Sequence, residues 1–333
     1  MFKRIFKKVL IGVAVLAVGL VGVAIHVSRT WDRSYDAPLP EVHASTAPEV
    51  LARGEYLVYG PAHCVACHTS SYSDMAKLAR GTKVPLSGGL RLSAAPLGDI
   101  YSRNLTPDPE TGIGRYSDGQ IARMMRWSVR PDGRATIEPM MPFGNMSDDD
   151  VNAIISYLRS MPPVKNAVPT NEWTIPGKVV RTFFNIMKPR TAIHPASATP
   201  AGVGAARGEY LARSVANCVG CHTKRDEATF VATGTEFAGG WQLEPDPNPG
   251  ADLALWFISP NLTPMKGSAL LKFPNREAFI TRFRSGRVYA GSPMPWEAFA
   301  RMSTEDLESL YEFLHRLPPS AGPSGQATFK KGS

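Results

Sequence analysis

The first pattern along the chain is an uninterrupted apolar run from Val9 to Ile25, preceded by Lys3, Arg4, Lys7 and Lys8. A helix of that length spans roughly 26 Å, slightly short of a hydrocarbon core of about 30 Å. The run predicts a membrane-spanning helix within residues 1–30. Farther on, the apolar positions become periodic. Val151, Ile154, Ile155 and Leu158 form an i, i+3, i+4, i+7 stripe behind Ser147 and three aspartates, and Pro162-Pro163 ends it. Ser147 is positioned to cap that helix, and the aspartates complement its positive end. Leu307, Leu310, Tyr311 and Leu314 repeat the stripe behind Ser303, Glu305 and Asp306, stopped by Pro318-Pro319. Middle helices are predicted over Tyr116–Ser128 and Asn275–Ser285, and a short one over Val179–Met187. Leu253–Ile258 is too short to span a membrane and reads as a strand or loop.

These helices belong to a longer internal repeat. Arg53-Gly54-Glu55-Tyr56-Leu57 matches Arg207-Gly208-Glu209-Tyr210-Leu211. Asn104-Leu105-Thr106-Pro107 matches Asn261-Leu262-Thr263-Pro264, and Met141-Pro142 matches Met294-Pro295. The offset between copies stays within 153–157 residues, which means tandem domains rather than a solenoid. The pattern divides the chain into a signal-anchor or transmembrane helix (1–30), a spacer (31–46), a first domain (47–165), a linker with a short helix (166–204), a second domain (205–319) and a disordered tail (320–333). The fold class is all-α.

Composition changes this picture little. Apolar residues make up 43% and charged residues 20% of 333, an ordinary globular balance. The formal charge of +8 shrinks to +4 once the four N-terminal cations are set aside, and no basic run interleaved with aromatics follows. A nucleic-acid role is therefore unsupported. The basic flank stays cytoplasmic, so the remainder is exported. Gly22-Val23-Ala24 offers a competing signal-peptide cleavage site, but it lies inside the apolar run. The uncleaved anchor is preferred.

The cysteines carry the chemistry. Only four exist, as Cys64-Val-Ala-Cys67-His68 and Cys218-Val-Gly-Cys221-His222. C-x-x-C-H is the spacing for c-type haem attachment. Two thiols about one helical turn apart reach the two vinyl groups of one porphyrin, and the adjacent histidine projects toward the iron. A zinc site would need further ligand pairs, and a thioredoxin-like site a βαβ context. Two covalently bound haem c groups are expected, on Cys64, Cys67 and His68 and on Cys218, Cys221 and His222. Methionine beside histidine raises the potential of such an iron. Met141 and Met294 lie 73 and 72 residues beyond the two histidines and are the expected sixth ligands, with Met140 the competitor of Met141. A ligating imidazole donates its second N–H outward. A carbonyl near Val84-Pro85 is the expected acceptor for His68. Asn104, Asn261, Arg126, Arg130, Arg284 and Trp127 are candidate propionate contacts, with surface or turn roles the alternative.

The runs Asn104-Leu105-Thr106-Pro107-Asp108-Pro109-Glu110-Thr111-Gly112-Ile113-Gly114, Arg130-Pro131-Asp132-Gly133-Arg134, Met140-Met141-Pro142-Phe143 and Met146-Ser147-Asp148-Asp149-Asp150 resemble the haem domains of membrane-bound dehydrogenase cytochrome c subunits. Those subunits serve alcohol, gluconate and related periplasmic dehydrogenases. The resemblance covers roughly residues 47–319 and departs in the second copy after Pro264. Members of that kind often carry three haems, where this chain has two motifs. The resemblance implies a class I-type cytochrome c fold in each copy and electron transfer from a dehydrogenase, or from the quinol pool, toward quinone, a soluble cytochrome or a terminal oxidase. It places the chain in a bacterial inner membrane, with one N-terminal span and the haem domains in the periplasm. The alternatives are a dihaem peroxidase-like enzyme and a cytochrome c subunit of a terminal oxidase.

Overall fold

The computed structural model describes residues 2–94, 97–136, 141–184, 187–227, 229–323 and 327–331. Helix α1 (Phe2–Thr30) covers the apolar run, and its most apolar window is wholly exposed. Helices α2 (Pro48–Tyr59), α3 (Cys64–His68) and α4 (Ser73–Ala79) follow, then strands β1 (Arg91–Ala94) and β2 (Gly98–Tyr101), and helices α5 (Asp118–Trp127) and α6 (Asp148–Ser160). Strand β3 (Glu172–Trp173) and helix α7 (Ile175–Phe183) lie between the two copies. The second copy then runs α8 (Ala205–Tyr210), α9 (Cys218–Cys221), β4 (Gln242–Leu243), β5 (Leu255–Ile258), α10 (Arg276–Arg284), α11 (Trp296–Phe299), α12 (Thr304–Arg316) and β6 (Thr328–Lys330).

The expected cap at Ser147 and its repeat at Ser303 form, and two more caps accompany them. Ser117 accepts from the Gln120 N–H in a reciprocal capping box, Ser147 from Asp150, Asn275 from Ala278 and Ser303 from Asp306. Helix α2 crosses α6, and α8 crosses α12, at glycines that let backbones touch. A Cβ on Gly54 would lie 2.0 Å from the Ala153 carbonyl oxygen, and one on Gly208 would lie 1.9 Å from that of Ser309. The buried side chains of both copies, among them Leu57, Ile154, Leu211 and Leu310, form one continuous cluster.

Three expectations need correction. The fold is mainly helical rather than all-α, because β1-β2-β3 and β4-β5-β6 form two small antiparallel sheets. Their strands are two to four residues long, too short to leave a period in the sequence. The copies also extend past residues 165 and 319. Glu172 and Trp173 pair with Asp99 and Gly98, while Thr328–Lys330 pair with Leu255–Phe257. The presumed linker and the presumed disordered tail thus each complete a sheet. Helix α7 occupies 175–183 rather than 179–187, because Thr174 caps it by accepting from the Gly177 N–H. The spacer is tied down as well. The Tyr35 N–H donates to the Gly133 carbonyl, and the Ser45 N–H to Ser156 Oγ.

The copies are joined by a reciprocal contact. Within each, an arginine reaches the carboxylate at the start of the last helix: Arg53 to Asp150 at 2.8 Å through two nitrogens, and Arg207 to Asp306. Across the boundary, Tyr210 Oη donates to Asp150 at 2.7 Å and accepts from the Ser147 N–H. Tyr56 Oη donates to Asp306 at 2.5 Å and accepts from the Ser303 N–H. Tyr56 and Tyr210 are equivalent in the repeat, as are Asp150 and Asp306, so each copy grips the other's last helix with the same residue.

Candidate functional site

Both cysteine motifs begin on a residue in the left-handed region, His63 at φ 41° and Asn217 at φ 53°. That turn swings the chain out of the preceding helix and starts a new one at the first cysteine. Cys64 and Cys67, like Cys218 and Cys221, then stand three apart on one helical face. All four are free thiols, with the first of each pair half-buried and the second exposed. Burial pushes the Cys64 and Cys218 thiols up to about 12, with the neighbouring Cys67 and Cys221 adding to the rise.

The two histidines are held alike. His68 Nδ1 lies 2.7 Å from the Arg103 carbonyl oxygen, and His222 Nδ1 lies 2.9 Å from that of Pro260. A carbonyl only accepts, so the proton sits on Nδ1 and Nε2 presents its lone pair. Burial lowers both imidazole pKa values against the opposing pull of those carbonyls, so the rings are neutral. The Arg103 carbonyl replaces the expected acceptor near Val84-Pro85. The Val84 carbonyl is already taken by the Tyr59 hydroxyl at 2.7 Å.

Met141 and Met294 open the loops before α6 and α12. Both are half-buried and border the same core as Cys64, Leu105, Cys218 and Leu262. Met140 lies outside the described residues. The Met141 loop is pinned by Arg126, which is 2% exposed and donates to the carbonyls of Phe143, Gly144 and Met146 and to Asp148. Arg190 donates to the Met141 carbonyl at 2.9 Å.

The candidate propionate contacts have protein partners. Asn104 Oδ1 accepts from the N–H and hydroxyl of Thr106, and its Nδ2 donates to Val164 and Thr111. Asn261 repeats this with Thr263 and Ser320. Each asparagine ties the Asn-Leu-Thr-Pro loop to the chain that leaves the last helix. Arg126 is engaged as above, Arg284 donates to Ala300, and Arg130 pairs with Asp132. The Trp127 carbonyl accepts from the Arg190 N–H.

Two residues at this site escaped the sequence reading. Asp246 sits on the loop after β4, and its charge helps to raise the Cys67 and Cys221 thiols and the Tyr72 phenol. Burial pushes its carboxyl up to about 6, opposed by Arg287 and assisted by Glu297. Its loop has no counterpart in the first copy, so the repeat did not point to it. Tyr72 comes from the first copy. Among the described residues no cluster of three or more His, Cys, Asp or Glu side chains offers a metal cage. The donor set of each motif therefore fits a haem, with paired thiols and one neutral imidazole, and does not fit a bare ion.

Comparison with known proteins agrees with this geometry. Residues 51–162 match the cytochrome c family. The chain is 30% identical over 308 residues to the cytochrome c subunit of the quinone alcohol dehydrogenase of Gluconobacter oxydans (strain 621H), covering 85% of this chain and 58% of that one. It is 27% identical over 302 residues to the fructose dehydrogenase cytochrome subunit of Gluconobacter japonicus, covering 87% and 57%. It is 26% identical over 233 residues to a diheme c-type cytochrome of Cereibacter sphaeroides, covering 68% and 71%. The chain thus spans a little over half the length of the two dehydrogenase subunits.

Proposed function

We propose that this relative of dehydrogenase cytochrome c subunits is a membrane-tethered dihaem cytochrome c, built of two tandem class I-type domains. It carries electrons in the bacterial periplasm between a dehydrogenase, or the quinol pool, and a respiratory acceptor. It is an electron-transfer subunit and not a catalytic one. The observation that carries this reading is the duplicated C-x-x-C-H helix with its histidine Nδ1 bonded to a backbone carbonyl in both copies. Haem c bound at each motif supplies a one-electron iron centre.

The chain's own residues have separate tasks. Cys64 and Cys67, and Cys218 and Cys221, hold the two groups. His68 and His222 present Nε2, and the Arg103 and Pro260 carbonyls fix their tautomers. Met141 and Met294, on loops that border the shared core, would offer each group a thioether ligand. Leu105 and Leu262 border the same core. The apolar helix α1 ties the assembly to the bilayer. The partners by this reading are a membrane-bound or periplasmic dehydrogenase on one side and a terminal oxidase, quinone or soluble cytochrome on the other.

The test is an optical study of the purified, haem-loaded chain. A haemochrome count of two, the weak far-red methionine-to-ferric-iron band and no spectral change with carbon monoxide after reduction are expected. A carbon monoxide shift at either iron would overturn the closed-carrier reading in favour of an open-site enzyme or sensor.

A further inference from the structure

The apolar run of α1 is short for a bilayer, so the boundary on its exit side falls on the residues just beyond Ile25. There α1 meets α7. Val27 is the buried residue of α1, and the His26 and Phe183 rings lie 5.8 Å apart. Lys178 and Arg181 place their cations 4.8 and 5.1 Å from the centre of the Trp31 ring. Arg181 also stacks on Trp173 at 4.6 Å and pairs with Asp32 at 3.4 Å. Tryptophan with basic neighbours is the composition of a headgroup-level belt.

Helix α7 uses its two faces differently. Its inner face is fitted to the protein. A Cβ on Gly177 would lie 1.9 Å from the Leu97 carbonyl oxygen, and Val180 packs with Ile100, Leu97 and Trp173. Its outer face carries Ile175, 78% exposed, and Phe183, 54% exposed, with half-buried Val179 between them at four-residue spacing. Phe184, 55% exposed, extends this patch at the helix end. Arg29 and Arg33, at and just past the end of α1, and Lys188, past α7, are exposed cations. Glu172, also exposed, precedes the helix.

We propose that α7 lies in the headgroup–acyl boundary of the same bilayer that α1 crosses, a second, monotopic membrane contact. The occupant of its outer face is lipid. Ile175, Phe183 and Phe184 enter the boundary, and Lys178, Lys188, Arg29 and Arg33 meet anionic headgroups. The case rests on continuity. The exposed aromatic patch touches α1 at the level where the bilayer must end, and the intervening tryptophan is flanked by cations. Two attachments, a span and a surface helix packed on the first sheet, fix the orientation of the cysteine motifs to the membrane plane.

This proposal rests on reading α1 as an uncleaved span, and the experiment separates the two. The full-length, haem-loaded chain is reconstituted in phosphatidylcholine vesicles with a minor share of phosphatidylglycerol. It carries a p-benzoylphenylalanine at one position at a time: Leu16→p-benzoylphenylalanine, Phe183→p-benzoylphenylalanine or Val288→p-benzoylphenylalanine. After irradiation, lipid adducts are read by mass spectrometry. Adducts at positions 16 and 183, with none at exposed Val288, are expected. Adducts at 16 but not at 183 overturn the α7 contact and leave the anchor standing. Adducts at neither remove both. Crosslinks from 183 to a second copy, in place of lipid, overturn the proposal in favour of a protein contact. An Ile175→Ser/Phe183→Ser chain with the probe at Phe184 is expected to lose the lipid adducts; their persistence would also refute it.

Discussion

Removing one hydroxyl from the reciprocal contact is the sharpest test of how the copies are held. Tyr210 is 6% exposed, and its hydroxyl both donates to the buried Asp150 carboxylate and accepts from the Ser147 N–H. Burial, reinforced by the Asp150 charge, pushes the phenol up to about 12, so it remains a donor at any working pH. Tyr210→Phe loses a hydrogen bond to a charged group, worth about 1.5–3 kcal/mol, and strands the Ser147 N–H. Arg53 still neutralises Asp150, which keeps the cost below that of an unpaired buried charge. A total loss of about 2–4 kcal/mol follows. Tyr56→Phe is expected to cost a similar amount at Asp306. Tyr59→Phe is the internal control, because its hydroxyl donates to a neutral carbonyl, at Val84, and otherwise meets only the Tyr157 hydroxyl, so its loss costs about 0.5–1.5 kcal/mol. The assay is guanidinium unfolding of the haem-loaded chain in detergent, followed by far-UV circular dichroism and haem absorbance together, so that a loss of two-state behaviour is seen. If Tyr59→Phe costs as much as the other two, or both of those fall below about 0.5 kcal/mol, the reciprocal grip is not what holds the copies.

Further outcomes are expected. Gly54→Ala and Gly208→Ala drive a methyl into a facing carbonyl, so each lowers stability by about 1–3 kcal/mol or more in the same unfolding assay, whereas Gly12→Ala meets open space and changes nothing. Arg126→Leu leaves three loop carbonyls without their donor, costs about 2–4 kcal/mol, and weakens the far-red methionine band at one of the two sites only. Burial alone would raise the Asp74 carboxyl, but hydrogen bonds from Lys77, Thr69 and Ser70 outweigh it and hold its pKa below the ordinary value. Its stabilising contribution is therefore complete above about pH 4 and is lost as pH falls through the depressed folded value. Melting temperature against pH should accordingly fall less steeply on the acid side in Asp74→Asn than in the parent chain.

What the sequence made legible was whatever repeats or has a period. The caps at Ser147 and Ser303, the ends of the last helices and the cysteine helices could be placed because local chemistry determines them. The sheets could not, since each is closed by a two- or three-residue strand far along the chain, and pairing of that kind leaves no local signal. For Asn104 and Asn261 the sequence left a propionate contact and a turn role both open. Their hydrogen bonds show the turn role, a shared staple to the chain after the last helix. The Tyr56–Asp306 and Tyr210–Asp150 bonds were present in the repeat as matched residues. Nothing in one dimension shows that a residue pairs with the partner of its own counterpart.

The reciprocal grip has a consequence beyond stability. It is the contact of a twofold dimer, with both partners encoded on a single chain. In a true homodimer every substitution appears twice, and the two halves stay identical. Here each half drifts alone. Arg126 is buried under one methionine loop, while Arg284, its counterpart, sits exposed at the other. His63 stands where the second copy has Asn217, and Asp246 has no counterpart at all. Covalent linkage of the halves thus turns a symmetric pair into an ordered one, in which the first centre and the second are free to become different and traffic between them can acquire a direction.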